Sequence, residues 1–116
     1  MSVIYFKSEK PYRQLVEKGY VFTFRLKKRR TGYAWVKRSR KGEKKFLVYV
    51  ELFDELKEGE DIQLFLHRYV SNSGFLTVTE WLNEIMKINR LKKPPKSGYM
   101  YSVVRVIGLV KGEWIP

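Results

Sequence analysis

Residues 19–30, GYVFTFRLKKRR, limit the fold more than any other stretch of this chain. After Gly19, Tyr20, Phe22, Phe24 and Leu26 fall on one side, and Val21, Thr23, Arg25 and Lys27 fall on the other. That period of two belongs to a half-buried strand. The alternation places Phe22 and Phe24 in a core and puts Thr23 and Arg25 on a polar face that runs on into the basic turn. Upstream, SEKPYRQLVEKG reads as a short helix: Ser8 stands at an N-cap, Pro11 is tolerated in the first turn, and Gly19 sits where a helix end favours a left-handed residue. Val3 to Phe6 form a short strand before it.

Further along, the turn KKRRTG leads into YAWVKRSR, a second strand that closes at Lys41-Gly42-Glu43. In KKFLVYVEL both faces are mostly apolar, which predicts a central strand. Leu52 to Asp61 reads as a turn of helix and a loop, and DIQLFLHRYV as a helix with Ile62, Phe65, Leu66 and Tyr69 at i, i+3, i+4 and i+7. In LTVTEWLNEIMKINR, Thr77 and Glu80 have capping-box spacing, and Leu76 and Trp81 are placed for a hydrophobic staple. The basic loop LKKPPKSG ends that helix. YMYSVVRVIGLV then reads as a long strand, bent or bulged at Gly108. Five or six strands with helices inserted between them predict an α+β fold, a small and mostly antiparallel sheet curling toward a β-barrel. At 116 residues the expectation is one domain over residues 1–116.

Charge supplies the functional constraint. Against 24 Lys and Arg stand only 12 Asp and Glu, a formal net charge of +12. The signs are segregated along the chain: residues 25–45 hold eleven basic side chains and one acid, Glu43, whereas residues 51–61 hold six acids and one base, Lys57. A heat-adapted surface rich in Lys and Glu would intersperse its signs to form ion pairs. Eleven crowded positive charges repel one another, a cost that a polyanion would remove, so the pattern points to nucleic acid. An anionic membrane fits less well, because the basic stretch alternates like strands and lacks the period of an amphipathic helix.

Composition excludes several chemistries. No cysteine occurs, which rules out disulfides, thiolate nucleophiles and cysteine-ligated zinc. His67 is the sole histidine, so no metal site and no cofactor are expected, and its place on an apolar-striped helix suits a structural or surface role. The N-terminus has no apolar run of signal-peptide length, and no window approaches a membrane span. A cytoplasmic protein is expected.

Candidate contacts follow from these readings. Lys27, Lys28, Arg29, Arg30, Lys37, Arg38, Arg40 and Lys41 can neutralise phosphates. Tyr33 and Trp35, on one face by alternation, either stack unpaired bases or belong to the core. Arg25 offers a planar fork to a phosphate or a base edge, or else serves a structural ion pair. Lys87, Arg90, Lys92, Lys93 and Lys96 either extend the basic track or form a solvated loop.

In order and spacing, the helix ending at Gly19, the strand with Thr23 and Arg25, the basic turn, VYVELFDELKEGEDI, SGFLTVTEWLNEIMKI and YMYSVVRV together resemble the ASCH domain, of the PUA-like group of small β-barrels. The resemblance covers roughly residues 8–107. It implies RNA binding or, as in some bacterial members, an amidohydrolase that removes acetyl groups from acetylated cytidine. The family's cleft motif is similar to G-x-K-x-x-x-x-R, with a lysine, a threonine and an arginine at the pocket. Gly19 and Arg25 match its ends and Thr23 stands two before the arginine, while the spacing is one residue short. No counterpart of the lysine is present, since Tyr20 or Val21 stands in its place. Asn72, Ser73, Gly74 and Phe75 fill the stretch where the hydrolase pattern carries a carboxylate. Nothing nominates a base to activate Thr23. The expectation is therefore a non-catalytic nucleic-acid-binding module, for RNA more than DNA, with Thr23 and Arg25 in a cleft. The alternatives are a small hydrolase or ribonuclease acting on modified nucleosides or RNA, favoured by a carboxylate beside Thr23 and Arg25, and a DNA-binding accessory protein with a basic hairpin.

Overall fold

Glycine acts as the sequence implies at the start of the chain. Gly19 closes the first helix at φ 84°, and its N–H donates to the Leu15 carbonyl at 2.9 Å. The next residue enters a strand. A computed structural model describes residues 2–106 and, past them, one short backbone pairing. In chain order the elements are β1 (Ser2–Tyr5), α1 (Glu9–Lys18), β2 (Tyr20–Arg25), β3 (Gly32–Lys37), β4 (Leu47–Leu56), α2 (Ile62–His67), a 3₁₀ turn (Val70–Asn72), α3 (Val78–Ile88) and β5 (Gly98–Arg105). β6 (Leu109–Val110) pairs antiparallel with β7 (Glu113–Trp114). Gly108, where a bend was expected, lies outside the described residues.

The fold is α+β, with five strands in the order β1-β3-β4-β5-β2. β1 pairs parallel with β3, and the other pairings are antiparallel. β4 is central, as its apolar character predicts. β1 and β2 are the two edges of the sheet, which backbone pairing leaves open rather than closed into the expected barrel. On β1, Val3 O accepts from Arg29 Nη1 at 3.4 Å, and just past the strand Phe6 O accepts at 2.8 Å from Nε of Arg38, the residue that follows β3.

Both faces of the sheet carry a core. On one, Ile4, Ala34, Val36, Val48, Val50, Tyr101 and Val103 pack with Val21 beneath Leu15 of α1. On the other, Phe24, Leu56 and Met100 pack against Phe65 and Leu66 of α2 and Trp81, Leu82 and Ile85 of α3. This corrects the reading of β2. Val21 and Thr23 are buried whereas Tyr20 is exposed, because the face taken as polar lies under α1. Alternation separates two cores here, one rich in aromatic rings and one rich in valine. Gly98 begins β5 where any Cβ would overlap the Phe24 ring, so the close approach of that strand needs glycine.

Two other local expectations are revised. Residues 52–56, read as a turn of helix, continue β4. Leu52 and Leu56 stand at the i, i+4 spacing of a helix, yet a register shift between Leu52 and Asp54 turns them toward opposite cores. At α3 the Thr77 half of the capping box forms, Thr77 Oγ1 accepting from the Glu80 N–H at 3.1 Å, while Glu80 Oε1 accepts one residue earlier than the box requires, from the Leu76 N–H at 3.3 Å. The staple does not form, since Leu76 is 87% exposed.

Candidate functional site: an arginine cleft with a basic rim

A cavity of about 230 Å³ opens where the end of β1 meets the end of β2 and the flank of α3. Its apolar wall includes Phe6, Phe24, Phe75, Trp81 and Ile85, and its polar lining includes Lys7, Ser8, Thr23, Arg25, Glu84 and Asn89. Each polar group owes its place to an ordinary local rule. Thr23 and Arg25 share a face of β2 by the pleat. Ser8 occupies the N-cap position of α1, but its hydroxyl leaves the helix uncapped and donates to Glu84 Oε2 at 2.7 Å. Glu84 stands three residues after Trp81 and one before Ile85, inside the apolar stripe of α3.

Arg25 is the unusual member. Its Nε donates to Thr23 Oγ1 at 3.1 Å, and its guanidinium lies 4.9 Å from the centre of the Phe6 ring. Among the described residues no carboxylate lies within 4 Å of it. Its pKa is lowered from the usual arginine value to about 10, first by burial and then by the Arg29 charge, with Tyr101 opposing the fall. It stays cationic near neutral pH. Arg29, half-buried, is lowered by burial too, and its Nε is buried without a hydrogen-bond partner among the described residues. Two guanidinium groups thus approach each other with no acid between them, an arrangement that an incoming anion or acceptor-rich base would relieve.

The rim is basic. Residues 26–31, read as a hairpin turn, form a crossover: β5 and β4 lie between β2 and β3. The buried Tyr101 hydroxyl holds that crossover, accepting from the Arg29 N–H at 2.6 Å and donating to the Arg29 carbonyl at 3.3 Å. Lys27, Lys28 and Arg30 on it are exposed. The β3–β4 connection presents Arg40 and Lys41, together with Lys44 and Lys45, to solvent. Three of the expected phosphate contacts, Arg38, Lys37 and Arg29, also make bonds within the fold. Arg38 pairs with Glu9 at 3.0 Å, lies over the Tyr12 ring and holds the end of β1, and Lys37 Nζ donates to Arg40 O at 2.9 Å. Arg29 ties the crossover to β1 through Val3 and Ser2.

Tyr33 and Trp35 are not core residues. They face away from the buried Ala34 and Val36: Tyr33 is more than half exposed and packs edge-on against Tyr49, while Trp35 is half-buried beneath Lys44. Lys87, Arg90, Lys92, Lys93 and Lys96 are exposed, and they begin beside Ile88 and Asn89 at the mouth of the cavity.

Glu84 is the residue that sequence reasoning missed. The resembled hydrolase pattern points to residues 72–75 for a carboxylate, whereas this one sits two turns into α3. A charged residue at a stripe position was the available signal. His67 is exposed, and no cluster of three or more potential metal ligands occurs among the described residues. No described helix is long and apolar enough to cross a membrane. Compared with protein-family models, curated proteins and solved structures, the chain matches none.

Proposed function

We propose that this chain is an ASCH-like, PUA-like cytoplasmic module that binds single-stranded nucleic acid, RNA in preference to DNA, and does no chemistry on it. One observation carries the reading. Of the eleven basic side chains in residues 25–45, only Arg38 has a carboxylate within 4 Å among the described residues, so the segregation of charge along the chain persists in space. The barrel-like reading is supported by the way the open edges meet. Arg25 at the end of β2 lies over Phe6, just past β1, and Arg29 of the crossover reaches Val3 of β1, so side chains link the two edges of the sheet beside the cavity.

The cavity is smaller than the roughly 300 Å³ at which drug-sized sites begin, which suits one unpaired base rather than a duplex. Arg25 would donate to an acceptor edge on one wall and Glu84 would accept from an exocyclic amine on the other. The basic rim would hold the flanking phosphates. With residues 26–31 forming a crossover, the DNA reading loses its first basic hairpin. Affinity for single-stranded RNA should fall with salt at a log–log slope of about 0.7 per phosphate contacted. Anisotropy titrations across salt concentrations measure this, and affinity indifferent to salt would overturn the proposal.

Glu84 gives a second reading a specific basis: a hydrolase acting on a modified base, with Thr23 as nucleophile. Two features oppose it. Thr23 Oγ1 accepts from Arg25, and among the described residues no base is hydrogen-bonded to it. The Glu84 carboxylate already accepts from Ser8. No acetate should be released from acetylated cytidine; turnover abolished by Thr23→Ala or Glu84→Gln would establish the enzyme.

A further inference from the structure

One row of the sheet crosses four strands without a helix over it. The register sets Tyr33 opposite Tyr49, Tyr49 opposite Val104, and Val104 opposite Tyr20. These side chains share one face by the pleat, and they are 53%, 38%, 46% and 43% exposed respectively. Three gaps between strands make the row roughly 14 Å long. Farther along the same face Phe24, Met100 and Leu56 are sealed by α2 and α3, so the bare row is the part that the helices leave uncovered. Three tyrosines at such exposure form an apolar patch with polar tips, and such a patch calls for a partner.

Charge around the row identifies that partner. On one side the next register row is Trp35 opposite Leu47, with Lys44 Nζ 5.4 Å from the Trp35 ring, followed by the β3–β4 connection with Arg40, Lys41 and Lys45. On the other side comes Glu51 opposite Ser102. Rings flanked by cations along one border and by an acid along the other match a strand with stackable faces and a polyanionic backbone. The basic border outweighs the acidic one, Lys44, Lys45, Arg40 and Lys41 against Glu51, so the surround of the row as a whole favours a polyanion.

We propose that Tyr33, Tyr49 and Tyr20 form a stacking surface for two or three unpaired bases of single-stranded RNA, with the phosphates running along the Lys44–Lys45 border. The proposal rests on the nucleic-acid reading but uses a different face from the cleft. An RNA chain would engage both only by passing around the sheet, and the two contributions are separable by mutation.

The test is a titration of the full chain with a short oligoadenylate and, in parallel, with inorganic polyphosphate, which carries the charge and no base. Tyr33→Ala and Tyr49→Ala should each lower oligoadenylate affinity by about tenfold, leave the salt slope as it is and leave polyphosphate binding unaltered. Tyr33→Phe and Tyr49→Phe keep the ring and should bind like wild type, and thermal melts will show whether the alanine variants are folded. Salt-dependent oligoadenylate binding that is equal in wild type and both alanine variants would overturn the stacking surface and leave the nucleic-acid reading standing. Absence of oligoadenylate binding at low salt would overturn both. A concentration-dependent dimer dispersed by Tyr49→Asp, with RNA affinity unchanged, would assign the row to self-association and also overturn the proposal.

Discussion

Arg25 and Arg38 stand 13 residues apart in one basic stretch and meet at the same residue. Arg38 donates to the Phe6 carbonyl at 2.8 Å, and the Arg25 guanidinium lies over the Phe6 ring. Arg38 has Glu9 at 3.0 Å and the Tyr12 face at 4.4 Å. Arg25, part-buried like Arg38, has Thr23, the Phe6 ring and an uncompensated neighbour, Arg29. Sequence proximity gave both the same candidate role, whereas their surroundings divide them. Arg38 fastens the edge strand, and Arg25 holds a charge for which the described residues provide no counter-ion. In this protein an arginine is informative for function when the fold has left it unpaired.

The largest effect provides the benchmark for that contrast. Phe24 precedes Arg25 and points into the opposite core, edge-on to Phe65 and against Gly98. Phe24→Ala should cost about 3 to 5 kcal/mol in denaturant unfolding, a large share of the stability of a domain this size. A loss below about 1 kcal/mol would mean that the helices do not seal this half of the face.

Next come the two arginines themselves. Arg38→Ala removes a charged hydrogen bond, a partly exposed ion pair and a ring contact, together worth about 1 to 2 kcal/mol of stability. Arg25→Met keeps the apolar stem and deletes a charge that nothing neutralises, so the variant should be as stable as wild type or more so. Its RNA affinity should nevertheless fall by about 1.5 to 3 kcal/mol, the value of a charged hydrogen-bonding group. If Arg25→Met unfolds as readily as Phe24→Ala while the folded fraction binds RNA normally, the contrast is wrong and Arg25 is structural.

How far the sequence disclosed this arrangement differs from element to element. Gly19, the Thr77 cap of α3 and the central place of β4 were legible because local chemistry decides them. The assignment of Val21 and Thr23 to a wet face failed because periodicity reports that two sides differ, and α1 decides what covers each. Residues 52–56 failed because a register shift imitates a helical spacing. The basic stretch was visible as a charge pattern, but its division into staples and unpaired cations depends on which carboxylates and carbonyls the fold brings near. Glu9 reaches Arg38 from a helix that begins 29 residues earlier, and no local rule anticipates that.

The smallest predicted effect lies at high pH, where Arg25 can be compared with a second shifted group. Tyr69, buried and bonded to Asp54, is raised from 10 to about 12, chiefly by burial and then by that hydrogen bond. Between pH 10 and 12 the unfolded chain loses the tyrosine proton while the folded protein keeps it, so the stability that Tyr69 contributes below pH 10 is lost as pH rises through 12. Arg25 runs the other way. Its folded pKa near 10 lies below that of the unfolded chain, so above pH 10 the unfolded state binds more protons and the cost of the buried charge fades. Urea unfolding of wild type, Tyr69→Phe and Arg25→Met at pH 9 and pH 11 resolves the two groups. The advantage of wild type over Tyr69→Phe should shrink at pH 11, and so should the advantage of Arg25→Met over wild type. A gap between Arg25→Met and wild type that is constant across this range would show that Arg25 does not titrate early, and that an anion from the buffer or from the chain itself already neutralises it.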